Sequence, residues 1–342
     1  MNPIRRKFEQ LSIPAFLLSL SLFILTTGAG LRLQAQTERT APQIPLVTHN
    51  TWSSGTPIPT ALWFPAAGVI KGKIYVAGGY TAANGSPIAS NQIYNPATSS
   101  WSSGAPLPTA IAQGASAVVK NILYVFGGST DVGPTVTNAV WAYNPKTNTW
   151  SSKSPMPTAR ASTTAVVVKN IVYVIGGYGN NTRLNTVESY NPATDTWTEE
   201  APLLVAKSEP SVGLFGTSIV AADGYSSSQD TGDNEAYSVA KNSWKSLTAD
   251  STPRNAACSG LISGQLYIAG GSNSNGTSLT LTESFKLSKS KWTTLASMPQ
   301  AVGAPGSAVY QFKVGGVADT VLYCFGGISN GNVLNNVQIY QP

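Results

Sequence analysis

The sequence predicts an all-β fold, a closed ring of six four-stranded sheets, and three observations predict it. Six tryptophans, Trp52, Trp101, Trp150, Trp197, Trp244 and Trp292, fall 49, 49, 47, 47 and 48 residues apart. Self-similarity at a fixed period of that length marks a repeat architecture with one supersecondary unit per period. Short apolar runs then close in glycine pairs at Gly78–Gly79, Gly127–Gly128, Gly176–Gly177, Gly270–Gly271 and Gly326–Gly327. Finally, the chain ends on VQIYQP, whereas QIYNPATSSW, WAYNPKTNTW and ESYNPATDTW all run on to a tryptophan.

Composition agrees. Of 342 residues 42% are apolar, enough for a sizeable core, while only 11% are charged against the quarter usual in globular domains. Outside the first 35 residues no helical period appears, and loop-forming Ser, Thr, Asn, Gly and Pro abound.

The first 35 residues read as a leader. Arg5, Arg6 and Lys7 form a positive start, Leu11 to Leu31 carries no charge, and LQA at 33–35 suits cleavage. A cleaved signal peptide is expected, with an uncleaved signal anchor as the alternative. Either places the body in the periplasm, the cell envelope or the exterior. Residues 36–47 are a spacer rich in Pro and Thr, and the ring is expected over 48–342. The leader holds Arg5, Arg6, Lys7 and Arg32 against Glu9, so losing it leaves about +3 of the formal +6. That charge is too small for a nucleic-acid footprint.

Each unit divides into four runs too short for helices. They are a small-residue strand such as GASAVV, a strand ending at the glycine pair, a strand ending in Tyr, and the Trp strand. Four strands of about six residues with short loops need roughly 45–50 residues. Small residues suit a crowded central axis, and the glycines let the chain leave the second strand with positive φ. The fourth unit departs, with IVAADG placing Asp223 at the first glycine position, and the sixth carries an eight-residue insertion before its pair.

Over residues 48–342 the chain resembles the kelch repeat family. The carriers are the glycine pairs, the turns after Tyr94, Tyr143 and Tyr190, the spaced tryptophans, and the PxPT runs 57–60, 106–109 and 155–158. The resemblance implies a six-bladed β-propeller and leaves function to the loops around the channel. The first Trp strand lacks its three partners and the last three strands lack their Trp. Trp52 is therefore expected to join the strand around Ile339 and remove two unpaired edges.

Ten residues after each tryptophan stand Leu62, Ile111, Arg160, Lys207, Arg254 and Val302. Arg160, Lys207 and Arg254 are expected to make half of the channel mouth positive and to hold an anionic group, with Trp63 as a stacking surface and Glu209 on the same side of its strand as Lys207. The first reading is an exported binding module for a protein segment or glycan, monomeric, touching a membrane only through an uncleaved leader. The alternative is a carbohydrate-active enzyme similar to the sialic acid mutarotases, with Glu209 as acid or base. Neighbouring cations would depress the proton affinity of Glu209, which counts against catalysis.

No cofactor or metal is expected. A copper site like that of the galactose oxidases, whose kelch domain is also similar, needs paired ligands that the lone His49 does not supply. Asp230, Asp233 and Glu235 are close in sequence and raise the question of calcium, although their spacing matches no EF-hand. Cys258 and Cys324 are expected on inner strands of neighbouring blades as buried free thiols, a bridge being the alternative if their Cα atoms come within about 7 Å.

Overall fold

The computed structural model describes residues 49–82, 85–131, 135–227 and 229–342. The leader over 1–35 and the spacer over 36–47 lie outside them. The described residues form six four-stranded antiparallel sheets, each ordered from the inner to the outer strand. The inner strands are Ala66–Ile70, Ala115–Val119, Thr164–Val168, Ser211–Phe215, Cys258–Ile262 and Gly306–Val314. Each touches the two before and after it, and the last touches the first, which closes a ring of six blades around a channel.

Closure occurs where the sequence places it. Thr51–Gly55 pairs antiparallel with Val337–Gln341, Trp52 opposite Tyr340 and Ser53 opposite Ile339. The sixth blade thus takes its outer strand from the beginning of the chain. The eight-residue insertion lengthens that blade's first hairpin, whose arms Gly306–Val314 and Val317–Phe325 are nine residues each where other blades have five.

The core lies between blades. Phe126 and Val140 of the second blade pack with Val172, Val174 and Tyr190 of the third, and Ile175 and Val187 of the third pack with Ile219 and Tyr237 of the fourth. Crowding near the axis explains the small residues there, for a Cβ added to Gly260 would lie 2.3 Å from Val309 Cγ2. At the rim each tryptophan rests on the aromatic residue opposite it, with centroids 4.9 to 5.1 Å apart. Its indole N–H donates to a carbonyl just past the preceding blade, as Trp101 does to Thr56 at 3.0 Å and Trp52 to Ala296 at 2.9 Å.

A second rim device repeats two residues before the tryptophan. Asn148 has φ of 54°, and its Oδ1 accepts from the Tyr143 hydroxyl at 2.7 Å and from the Ala105 N–H of the preceding blade at 2.7 Å. Asn242 and Asn50 do the same with Tyr237 and Tyr340, and Asp195 serves Tyr190 and Ser154. The first and fifth blades have Ser99 and Ser290 at this position, with Tyr94 and Phe285 as the aromatic residues opposite their tryptophans.

The cysteines correct the expectation of free thiols. Cys258 and Cys324 are bonded, with Cα atoms 5.7 Å apart, and Cys324 lies on the second strand of its blade, not the inner one. The bond ties the fifth blade to the sixth beside the closure. It closes a loop of 66 residues, so by chain entropy Cys258→Ala/Cys324→Ala should lose up to about 4 kcal/mol. The urea midpoint of the double variant, set against wild type with and without reductant, measures this.

Candidate functional site at the channel mouth

The inner strands all begin at one end of the channel, and the turn into each is built alike. Phe64, Gln113, Ser162, Glu209, Ala256 and Ala304, twelve residues after each tryptophan, all have φ between 49° and 60°. This left-handed backbone costs a residue with a Cβ free energy. It is held by hydrogen bonds that run from blade to blade: Gln113 N–H to Phe64 O, Ser162 to Gln113, Glu209 to Ser162, Phe64 to Ala304 and Ala304 to Ala256, at 2.7 to 3.0 Å. The mouth is therefore a rigid collar. Its side chains are polar over Gln113, Ser162 and Glu209 and apolar over Phe64, Ala256 and Ala304.

Arg160, Lys207 and Arg254 are not part of that collar. Each is fully buried, and each reaches the third strand of its own blade. Arg160 Nη2 meets Glu188 Oε2 at 2.6 Å, Lys207 Nζ meets Glu235 Oε1 at 3.1 Å, and Arg254 Nη2 pairs with Glu283. A charge taken from water has to be paired, and removing one partner leaves the other uncompensated. The positive half-mouth expected from the sequence is thus replaced by three internal struts. Burial draws the Arg160 pKa below its ordinary value, and Glu188 opposes the shift. The signal was in the sequence, as an acid 28 or 29 residues after each cation. Where the earlier position is Leu62, Ile111 or Val302, the later one is Gln92, Trp141 or Gln338.

The same collar separates Glu209 from Lys207. The left-handed turn at Glu209 interrupts strand alternation, so Lys207 points into the blade while Glu209 faces the channel. The channel mouth is a cavity of about 230 Å³. Beside it lies a hollow of about 330 Å³ lined by Trp63, Tyr80, Tyr178 and Arg183 among others, and Gln113, Ser162 and Glu209 border both. Trp63 and Glu209 therefore line one hollow, with Arg183 as its cation.

Arg183 was not foreseen. It sits directly across a two-stranded ribbon from Tyr178, with its guanidinium carbon 4.7 Å from the ring centroids of both Tyr178 and Tyr225. Those tyrosines directly follow the glycine or Asp-Gly pairs, the one pattern that could have pointed to the site. Two aromatic faces hold the cation by cation–π attraction without consuming its N–H donors. Its buried Nε has no hydrogen-bond partner in the chain.

Glu209 also corrects an expectation. Its carboxyl is not depressed but pushed up to about 7, chiefly by burial. A hydrogen bond from Ser162 and the charge of Arg183 work against the shift, and Asp230 adds to it. The struts, spent on their own partners, do not reach it.

The carboxylates of the fourth blade do not converge. Asp230 accepts from Asn255 Nδ2 at 2.5 Å and Ser274 Oγ at 2.9 Å, Asp233 accepts from Thr231, and Glu235 belongs to Lys207. No group of three or more such side chains among the described residues is arranged so that it could hold a metal ion. Asp223, in the place of a glycine, keeps that glycine's positive φ of 57°. At the equivalent Gly127 an added Cβ would meet Arg160 O at 2.2 Å, so the fourth blade must open slightly to admit a side chain. The space holds Asp223, Asp250 and Glu283 around Arg254.

Three carboxylates on one guanidinium are one too many, and burial, then Asp250, push the Asp223 pKa well above its ordinary range. A carboxyl with raised proton affinity in the fold contributes stability that is intact at low pH. That stability is lost as pH climbs from the ordinary carboxylate range toward the folded value. Asp223→Asn, which never ionises, should therefore gain on wild type between pH 5 and pH 8 by about 1 kcal/mol or more; urea midpoints at the two pH values test it.

Two family models match the chain: the KLHDC2/KLHL20/DRC7 Kelch-repeats domain over residues 64–212 and the Kelch motif over residues 253–299. The matches leave out most of the fourth and sixth blades, the two that depart from the repeat. No curated protein matches. Among solved structures that match is one described as "Structure of YjhT", with a TM-score of 0.71 and 18% identity, covering 83% of this chain and 95% of that one. At that identity the likeness speaks for fold alone. With six closed blades, the repeated glycine pairs and the outer tryptophans in place, the chain is a six-bladed β-propeller that carries kelch repeats over the residues these models match.

Proposed function

We propose that this propeller is an exported, monomeric binding module that takes a protein segment or glycan at the channel mouth, with an anionic group of the ligand on Arg183. The observation that carries the reading is the guanidinium clasped between Tyr178 and Tyr225 beside the hollow of Trp63 and Glu209. A carboxylate approaching its free N–H edge would form charge-assisted hydrogen bonds in a partly desolvated place. Trp63, half-exposed and lining the same hollow, offers a flat face for a sugar or aromatic ring. Export is supported by the leader and by the buried disulfide, a bond that persists in oxidising compartments.

Acidic glycans and peptides arrayed against wild type and Arg183→Ala test the site. Loss of one charge-assisted contact predicts a fall in affinity of about tenfold to a hundredfold with an unchanged melting temperature. Arg160→Ala should do the reverse and lower the melting temperature, since it leaves Glu188 buried and unpaired.

The raised carboxyl of Glu209 favours a second reading. A group that ionises near neutral pH both gives and takes protons there, which is what a sugar anomerase resembling the sialic acid mutarotases would need beside a carboxylate-binding Arg183. Under this reading wild type accelerates anomerisation of an acidic sugar, followed by NMR, with a rate that changes around pH 7. Glu209→Gln returns it to the buffer rate. A wild-type rate equal to buffer removes the enzyme and leaves the module.

A further inference from the structure

The other ends of the inner strands carry a feature that the mouth does not use. The turns leaving the inner strands of the first three blades are Lys71–Gly72, Lys120–Asn121 and Lys169–Asn170, and both residues of each turn have positive φ. Such two-residue hairpin turns favour Asn-Gly or Gly-Gly, because a left-handed residue with a long side chain is disfavoured. The sixth blade follows that preference with Gly315–Gly316, and the fifth has a short side chain at the first position in Ser263–Gly264. Three consecutive blades instead place an exposed lysine at the unfavourable position. Local strain kept in a fold points to a function served by the residue that bears it.

Between these turns lie two hollows, one blade apart. The first, of about 320 Å³, has Lys71, Lys73, Lys120 and Lys146 around Tyr75 and Ile122. The second, of about 420 Å³, has Lys120 and Lys169 around Tyr124, Ile171 and Pro192. No carboxylate lines either hollow, and none of these lysines forms a salt bridge among the described residues. The geometry points to a docking surface for a linear anionic polysaccharide, whose charges meet the lysine turns while successive rings settle in the hollows. A polymer with charges at regular intervals matches cations repeated blade by blade. A flat lipid surface would leave both hollows unfilled and find no apolar anchor on the three lysine turns; the exposed Val317 beside the equivalent turn lies on the sixth blade. Because these cations are exposed, each contact is weak and salt-sensitive, and affinity comes from their number.

The test uses the native protein on immobilised heparin and on polygalacturonate, with dextran as the neutral control and phosphatidylglycerol vesicles as the lipid surface. Wild type should be retained by at least one of the two anionic polysaccharides at low salt, released by added salt, and not held by dextran. Lys71→Asn/Lys120→Asn/Lys169→Asn places at each turn a residue that tolerates the left-handed backbone, so the variant should melt no lower than wild type while its affinity falls about tenfold. Lys245→Asn/Lys291→Asn, exposed on outer strands, should leave affinity unchanged. Retention by vesicles but by neither polysaccharide, equal retention of the triple variant, or no retention of wild type would each overturn the proposal.

Discussion

The pairing of Thr51–Gly55 with Val337–Gln341 is the constraint on which the molecule depends. A ring of sheets differs from a row of sheets only at its seam, and here the seam joins the two ends of the propeller by main-chain hydrogen bonds. Without them two edges stand open, and the inner strands lose the mutual contact that crowds the axis. The disulfide lies one junction away, between the fifth and sixth blades. The rim contacts of Trp52 and Asn50 reproduce at the seam what Trp150 and Asn148 do within the continuous chain. To its neighbours, the joint is like any other.

Elsewhere blades are joined by polar contacts that a hydrophobic core does not replace. The second glycine of each pair donates its N–H to the carbonyl ten residues past its own blade's tryptophan, where the chain enters the next blade, and Gly224, after Asp223, makes the same bond to Arg254. The first glycine leaves room for that carbonyl. Where Asp223 fills the room, the next strut is an arginine with three buried carboxylates about it, so one irregularity in the repeat is met by another. Such local exchanges allow blades of one fold to differ in chemistry while their backbones superpose on a common plan.

The two ends of the channel differ in character for the same reason. At the mouth, a collar of left-handed residues aims side chains inward, concentrating Glu209, Arg183 and Trp63 where water is partly excluded and proton affinity is moved. At the far end, tight turns aim lysines outward into solvent, where each keeps its hydration and only repetition adds strength. A cluster of partly buried groups suits a compact ligand, and a row of exposed ones suits an extended partner.

The period of the tryptophans, the glycine pairs and the unmatched ends sufficed, without coordinates, to specify six blades, their strand order and the seam. These follow from spacing and strand length, which are properties of the chain alone. The site was legible only in part. Trp63 and Glu209 were singled out, but Arg160, Lys207 and Arg254 were assigned to a mouth two residues away from where the chain forms it. An alternation of two per strand cannot reveal a left-handed turn, and that turn decides which side chains see the channel. The acids that follow Arg160, Lys207 and Arg254 at a near-constant spacing were a readable signal, but spacing shows neither that Arg183 lies between two rings nor that Cys324 faces Cys258. Those facts depend on distances across neighbouring sheets, and burial, which sets the proton affinity of Glu209 against its charges, exists only once the sheets have packed.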